Sequence, residues 1–156
     1  MSIEPCIRGI TTWLDYFNIE ISYATGHSLG GALATIHHLL HPTTIKHGVV
    51  TFGAPKTSEQ SCSVPGKRYC YKMDAVCGDM FVLDTMGYHH DVQNAYSVQE
   101  VEQCEYKVFG LCVYYGQSKC GKPSKEADCN YQSMGGLPWA VTRTVDYHMD
   151  YANCDW

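Results

Sequence analysis

The amino-acid sequence predicts an α/β fold in which a mostly parallel central sheet is flanked by helices. Two segments repeat apolar residues every three or four positions, which is typical of helices that bury one face. Short β-branched and aromatic runs lie between and after these segments and indicate strands. Because the order is helix, strand, helix, strand, strand, neighbouring strands are expected to pair in parallel.

The predicted elements occupy the first half of the chain. An apolar stripe at spacings of three and four predicts a first helix, and its members are Ile3, Ile7, Ile10, Leu14 and Phe17. A second, largely buried helix is predicted over Leu29–Leu40, and Pro42 marks its end. Strands are predicted at residues 19–24, 48–52 and 68–72.

Length and composition fit one globular domain. The chain has 156 residues, of which 45% are hydrophobic and 17% are charged, so it can bury a sizeable core. Its formal net charge of -5 gives no basic surface of the kind that binds nucleic acid. No apolar run reaches the roughly 18 residues that a transmembrane helix needs. We therefore expect a single domain over residues 1–156, with no nucleic-acid partner and no transmembrane segment.

The nine cysteines are spread singly along the chain. None forms a Cys-x-x-Cys pair, so disulfides and an oxidising compartment are expected, with buried reduced cysteines as the alternative. Four of them fall in a segment without helical periodicity, which we interpret as a Cys-rich excursion from the domain at about residues 100–136. The eight histidines are scattered without carboxylate or thiol partners at ligand spacing, so no metal site is expected.

The sequence Gly-His-Ser-Leu-Gly at residues 26–30 joins the first predicted strand to the second predicted helix. Gly-x-Ser-x-Gly at such a junction is typical of a nucleophile elbow, a strained turn that lifts the Ser28 hydroxyl off the sheet. Gly26 and Gly30 are expected to let strand and helix approach closely. The helix N-terminus favours negative charge, so the Leu29 N–H is expected to stabilise an oxyanion. A glycine-rich helix start without chemistry is the alternative.

A serine nucleophile needs a histidine base and a carboxylate that orients the base. Asp74 follows a predicted strand and is therefore expected at the same sheet edge as the elbow. Asp79 and Asp84 are the reserve candidates for the acid, and His148 and His90 are the candidates for the base. The remaining histidines are expected to be structural, with His27 a packing or hydrogen-bonding neighbour of the elbow.

Four segments resemble the fungal-type class 3 lipases, and they are residues 25–35, 50–56, 68–76 and 87–90. The resemblance covers roughly residues 7–97, with a weaker match around His148. It implies a partial α/β-hydrolase fold and a catalytic triad of Ser28, Asp74 and His148. His90 is disfavoured because the histidine of Gly-Tyr-x-His is not the base in this family.

The resemblance also implies a function. The expected reaction is hydrolysis of a carboxylic ester, in the first place an acylglycerol, through an acyl-enzyme and without a cofactor. The expected partner is a lipid or another ester, with peripheral contact to lipid interfaces. Phospholipase A1 and feruloyl esterase activities are alternatives within the same chemistry. A catalytically inactive lipid-binding remnant is an alternative of another class.

The N-terminal part of the chain and the segment after Asp74 depart from the family pattern. Only one predicted helix and one predicted strand precede the elbow, so we interpret the chain as an N-terminally truncated member whose odd cysteine, Cys6 or Cys154, has lost an upstream partner. The first residues lack the basic and apolar regions of a signal peptide, so a secreted protein is expected to carry its signal upstream. Cys77 falls where the family has a proline-rich stretch after the aspartate.

Overall fold

The computed structural model describes residues 4–72, 74–77, 86–108, 111–126 and 148–154. Within these residues the chain forms two α-helices, α1 (Glu4–Tyr16) and α2 (Leu29–Leu40). The strands are β1 (Ala24–His27), β2 (Val49–Phe52), β3 (Val64–Tyr71), β4 (Val92–Val98), β5 (Glu100–Val108), β6 (Leu111–Cys120) and β7 (Ser124–Glu126). A short 3-10 helix, Asp150–Asn153, follows near the end of the chain.

Five strands form the main sheet in the order β1-β2-β3-β4-β7. The first four are parallel to one another, and β7 adds antiparallel to β4. Strands β5 and β6 pair antiparallel in a separate two-stranded sheet, inside the segment that the sequence marks as a Cys-rich excursion. The predicted α/β class is confirmed, because a mixed sheet with four parallel strands is accompanied by helices.

The predicted helices agree with the structure better than the predicted strands do. Strand β1 starts at Ala24, so the prediction of a strand at residues 19–24 is wrong in position: Ile21 makes only an isolated bridge, to Ile45. The alternating apolar residues belong to the segment that leads into β1, where Ile19 and Tyr23 are exposed. Strand β3 begins before the predicted residue 68, and a register shift after Val64 accommodates the poor strand formers that follow it.

The core is built mainly from the inner strands. One cluster of buried side chains contains Ile45, Val49, Val64 and Val92. Another contains Tyr71, Val98 and Tyr151 and lies near the carboxyl ends of the parallel strands. Helix α1 has no buried residue, and no helix among the described residues is long and apolar enough to cross a membrane.

The close approach of β1 and α2 depends on Gly26 and Gly31. A Cβ at Gly26 would overlap the backbone carbonyl of Gly30 and lie 2.6 Å from Gly31 N, and a Cβ at Gly31 would lie 2.8 Å from Gly26 O and from the Cβ of Ala54. A Cβ at Gly30 would meet nothing within 4 Å. The expectation that Gly30 permits this approach is therefore wrong, because α2 turns Gly31 toward the strand and leaves Gly30 exposed.

Candidate active site

Ser28 is the single residue between the end of β1 and the start of α2. Its backbone has φ 54° and ψ -128°, and among the described non-glycine residues only Asn18 also has a positive φ. Such a conformation costs about 1–3 kcal/mol and persists only when the surroundings impose it. The turn is held by the Ser28 N–H, which donates to Phe52 O at 2.9 Å, and by Ser28 O, which accepts from Gly31 N at 3.0 Å.

His148 lies between Ser28 and Asp74 and is hydrogen-bonded to both. The Ser28 hydroxyl donates to His148 Nε2 over 2.7 Å, and the His148 Nδ1–H donates to Asp74 Oδ2 over 3.0 Å. The side chain of His148 is 13% exposed and that of Asp74 is fully buried. This is the geometry that lets a histidine take a serine proton while a carboxylate fixes its tautomer. The catalytic role of each residue stays a prediction.

The Asp74 carboxylate is held by donors on both of its oxygens. Asp74 Oδ1 accepts from Val76 N at 2.8 Å and from Cys77 N at 3.4 Å. Asp74 Oδ2 accepts from the Tyr151 hydroxyl at 2.8 Å, in addition to His148. With both oxygens bonded, the carboxylate has one orientation toward the imidazole.

Tyr151 is a further member of the site, and the sequence motifs did not predict it. It is 4% exposed, and its hydroxyl accepts from Tyr71 N at 2.7 Å while donating to Asp74. Tyr151 follows His148 by three residues, so one turn of helix places both on the same face. The spacing of three residues could have indicated that Tyr151 lies beside His148. It could not indicate the partner of the hydroxyl, because Tyr71 lies on β3.

Two further histidines support the arrangement without contacting the serine oxygen. The His27 Nε2–H donates to His148 O over 2.6 Å, and the two rings lie 4.8 Å apart, which fits the expected role of a hydrogen-bonding neighbour. The ring of His90 bonds to Cys77 O at 2.9 Å and so braces the segment that follows Asp74. The reserve acids Asp79 and Asp84 lie outside the described residues.

Gly53 lies directly behind the Asp74–His148 pair, just after β2 ends. Its φ is +58°, and a Cβ there would be 2.8 Å from Tyr151 Cε2, 3.0 Å from Asp74 Oδ2 and 3.2 Å from His148 Nδ1. Gly53 directly follows the strand predicted at residues 48–52, a position typical of a turn. The structure also requires that residue 53 have no side chain, since a side chain here would displace the acid or the base from their hydrogen bond.

Replacing Gly53 by alanine is expected to lower kcat/KM for an ester by about 100-fold, the effect of a displacement of about 1 Å in an active site. Gly87→Ala is the matched control, because Gly87 also has a left-handed φ, +77°, but a Cβ there would meet nothing within 4 Å. Both alanines add similar backbone strain. Ester hydrolysis and urea denaturation of the two variants measure this, and equal activity losses would contradict a specific effect on the acid–base pair.

Two disulfides lie within the part of the chain that the structure describes, as expected from the spacing of the cysteines. They join Cys70 to Cys77 and Cys120 to Cys154. Of the two candidates for an unpaired cysteine, Cys6 is free and exposed, whereas Cys154 is paired. Cys62 is also free and exposed, and the side chains of Cys104, Cys112 and Cys129 lie outside the described part.

A strained serine at a strand–helix junction, bonded to a histidine that is bonded to a buried carboxylate, has the arrangement of a serine hydrolase. Comparison with protein families matches residues 8–77 to the family described as Lipase (class 3). This match over residues 8–77 confirms the predicted resemblance to the class 3 lipases. Searches of curated proteins and of solved structures found no match. The match supports lipase or ester-hydrolase activity in general.

Proposed function

We propose that the chain is a serine carboxylic-ester hydrolase with an α/β-hydrolase fold that acts through Ser28, His148 and Asp74. The observation that carries the proposal is the unbroken hydrogen-bonded series from Ser28 Oγ through the imidazole to Asp74 Oδ2, with distances of 2.7 and 3.0 Å. The class 3 lipase match over residues 8–77 supports the same reaction class independently.

In the proposed first half-reaction, Ser28 Oγ attacks the acyl carbon while His148 Nε2 takes the hydroxyl proton. Asp74 orients the Nδ1–H and stabilises the imidazolium that forms. The tetrahedral oxyanion accepts from the N–H of Leu29, which is the first residue of α2 and therefore has no acceptor within the helix. The imidazolium then gives its proton to the departing alcohol, which leaves an acyl ester on Ser28.

In the second half-reaction, water attacks the acyl ester of Ser28. His148 removes a proton from this water, and the same oxyanion position is stabilised as before. Collapse of the intermediate releases the carboxylic acid and restores the serine hydroxyl. These steps use only groups of the chain and water, so no cofactor is required.

The proposed substrate is an acylglycerol or a related lipid ester. Leu29, next to the nucleophile, is 67% exposed. Apolar surface of this kind beside the serine suits an acyl chain or a lipid interface. The two disulfides support an oxidising, extracellular location. Rates on triolein, a phospholipid and a feruloylated sugar distinguish lipase, phospholipase A1 and feruloyl esterase activity.

Labelling with a fluorophosphonate ester, followed by peptide mapping, tests the proposed nucleophile. We expect one adduct per chain, on the peptide that contains Ser28, because only a serine with an assembled base reacts readily. The chain unfolded in urea is the control, since it has the same serines without the triad. An adduct on a different serine, or none on the folded chain, would contradict the proposal. Binding to lipid vesicles without an adduct would favour the inactive lipid-binding alternative.

A further inference from the structure

Residues 148–154, which we call the base segment because they carry His148, are bonded to other parts of the molecule at three points. At its start, His148 O accepts from His27 Nε2 at 2.6 Å. In its middle, the Tyr151 hydroxyl bridges Tyr71 N and Asp74. At its end, Cys154 is bonded covalently to Cys120, across 34 positions of sequence.

The disulfide at the end of this segment touches the same cluster that holds the acid. The Tyr71 hydroxyl contacts both sulfurs, at 2.8 Å from Cys154 Sγ and closer still to Cys120 Sγ. The rings of Tyr71 and Tyr151 pack edge to face with centroids 5.1 Å apart. Cys120 is itself fixed, because it ends β6 and the following N–H donates to Gln99 O just beyond β4. The disulfide thus joins the base segment to the end of β6, next to the end of β4.

The two disulfides differ in solvent access. Cys70 and Cys77 are both fully buried and enclose the short segment that contains Asp74. Cys120 and Cys154 are both partly exposed. A reductant in solution therefore reaches the bond that holds the base before it reaches the bond that holds the acid.

We propose that the Cys120–Cys154 disulfide is a positioning element for His148, so that its reduction disables the nucleophile while the sheet stays folded. This inference rests on the proposed function. Opening the bond removes the covalent connection of the base segment, and a shift of about 1 Å in the imidazole lowers turnover by about 100-fold. The expected change is in the alignment of the base, so substrate binding is expected to persist.

The opening step is ordinary thiol–disulfide exchange with a dithiol reductant. One thiolate attacks a sulfur of the Cys120–Cys154 pair, forms a mixed disulfide and displaces the other cysteine as a thiolate, which takes up a proton. The second thiol of the reductant then closes the reductant into a cyclic disulfide and releases the second cysteine thiol. Two electrons pass from the reductant to the protein, and both cysteines end as thiols.

The first test is the double variant Cys120→Ser/Cys154→Ser, with Cys6→Ser/Cys62→Ser as the matched control that removes two free, exposed thiols. We expect kcat and the fluorophosphonate labelling rate to fall about 100-fold in the first variant only. KM should stay unchanged, because only the alignment of the base is altered. Unchanged kcat in the first variant, or equal losses in both, would overturn the proposal.

The second test titrates the unsubstituted protein with dithiothreitol and reads each disulfide by alkylation and mass spectrometry. Labelling is expected to disappear in step with the opening of Cys120–Cys154, while Cys70–Cys77 stays closed and the far-ultraviolet circular dichroism is unchanged. Labelling that survives the opening would overturn the proposal, as would loss of the circular dichroism signal in parallel. Absence of labelling before any reductant is added would instead count against the proposed function itself.

Discussion

Replacing Ser28 by alanine is expected to abolish fluorophosphonate labelling and to lower kcat for ester hydrolysis by roughly 10⁶-fold, the usual loss when a catalytic serine is removed. The alanine keeps the Cβ and the strained turn, so stability should change little. Only the hydroxyl that donates to His148 Nε2 at 2.7 Å is lost. Ser22→Ala, at an exposed serine before β1, is the control. Full activity in the Ser28 variant would contradict the assignment of the nucleophile.

A glycine at the same position separates strain from chemistry. Ser28→Gly is expected to be as inactive as the alanine variant but more stable by about 1–3 kcal/mol, since glycine adopts a positive φ without steric cost. Urea denaturation of the two variants measures the difference. A glycine variant no more stable than the alanine variant would show that the turn stores no strain for the nucleophile.

Replacing Asp74 by asparagine is expected to lower kcat by roughly 10⁴-fold. Asp74 Oδ1 accepts from the N–H groups of Val76 and Cys77, so the amide oxygen of the asparagine will occupy that position. The amide nitrogen then faces His148 Nδ1 and donates to it. The imidazole is forced to carry its proton on Nε2, where it can no longer accept the proton of Ser28.

Asp91→Asn is the matched control for this change, because Asp91 is also a buried acid, 3% exposed. It accepts from Thr57 Oγ1 at 2.7 Å, from the Ser58 hydroxyl and from Cys62 N, and not from the triad. We expect this control to lose stability but keep kcat. An Asp74 variant with normal kcat would refute the acid assignment and turn attention to Asp79 and Asp84.

Local patterns in the sequence predicted the parts of the molecule whose causes are local. The elbow at Ser28 and the full extent of α2 follow from a contiguous motif and a helical period, and the structure agrees with both. The start of β1 was placed too early because surface residues before it alternate like a strand. The role expected of Gly30 belongs to Gly31, since the direction in which each glycine faces depends on the sheet beneath the helix.

The parts that the sequence could not predict depend on neighbours far along the chain. The importance of Gly53 arises because three side chains from other segments converge behind it. The Tyr151 hydroxyl has partners 80 and 77 positions away, so its hydrogen bonds could not be predicted from the local spacing of Tyr151 and His148. Between His148 and His90, residue types alone left the choice open, and the lipase resemblance favoured the member that the structure brings to Ser28.

The distance along the chain between the elbow and the base has a consequence for folding. Ser28 and His148 are 120 positions apart, whereas β1, β2 and β3 are all complete by Tyr71. Closing a longer loop costs more chain entropy, so contacts of this kind form late. Helices and parallel strands can therefore form before His148 reaches Ser28. During refolding, we expect the circular dichroism signal to recover before the reactivity of the Ser28 hydroxyl.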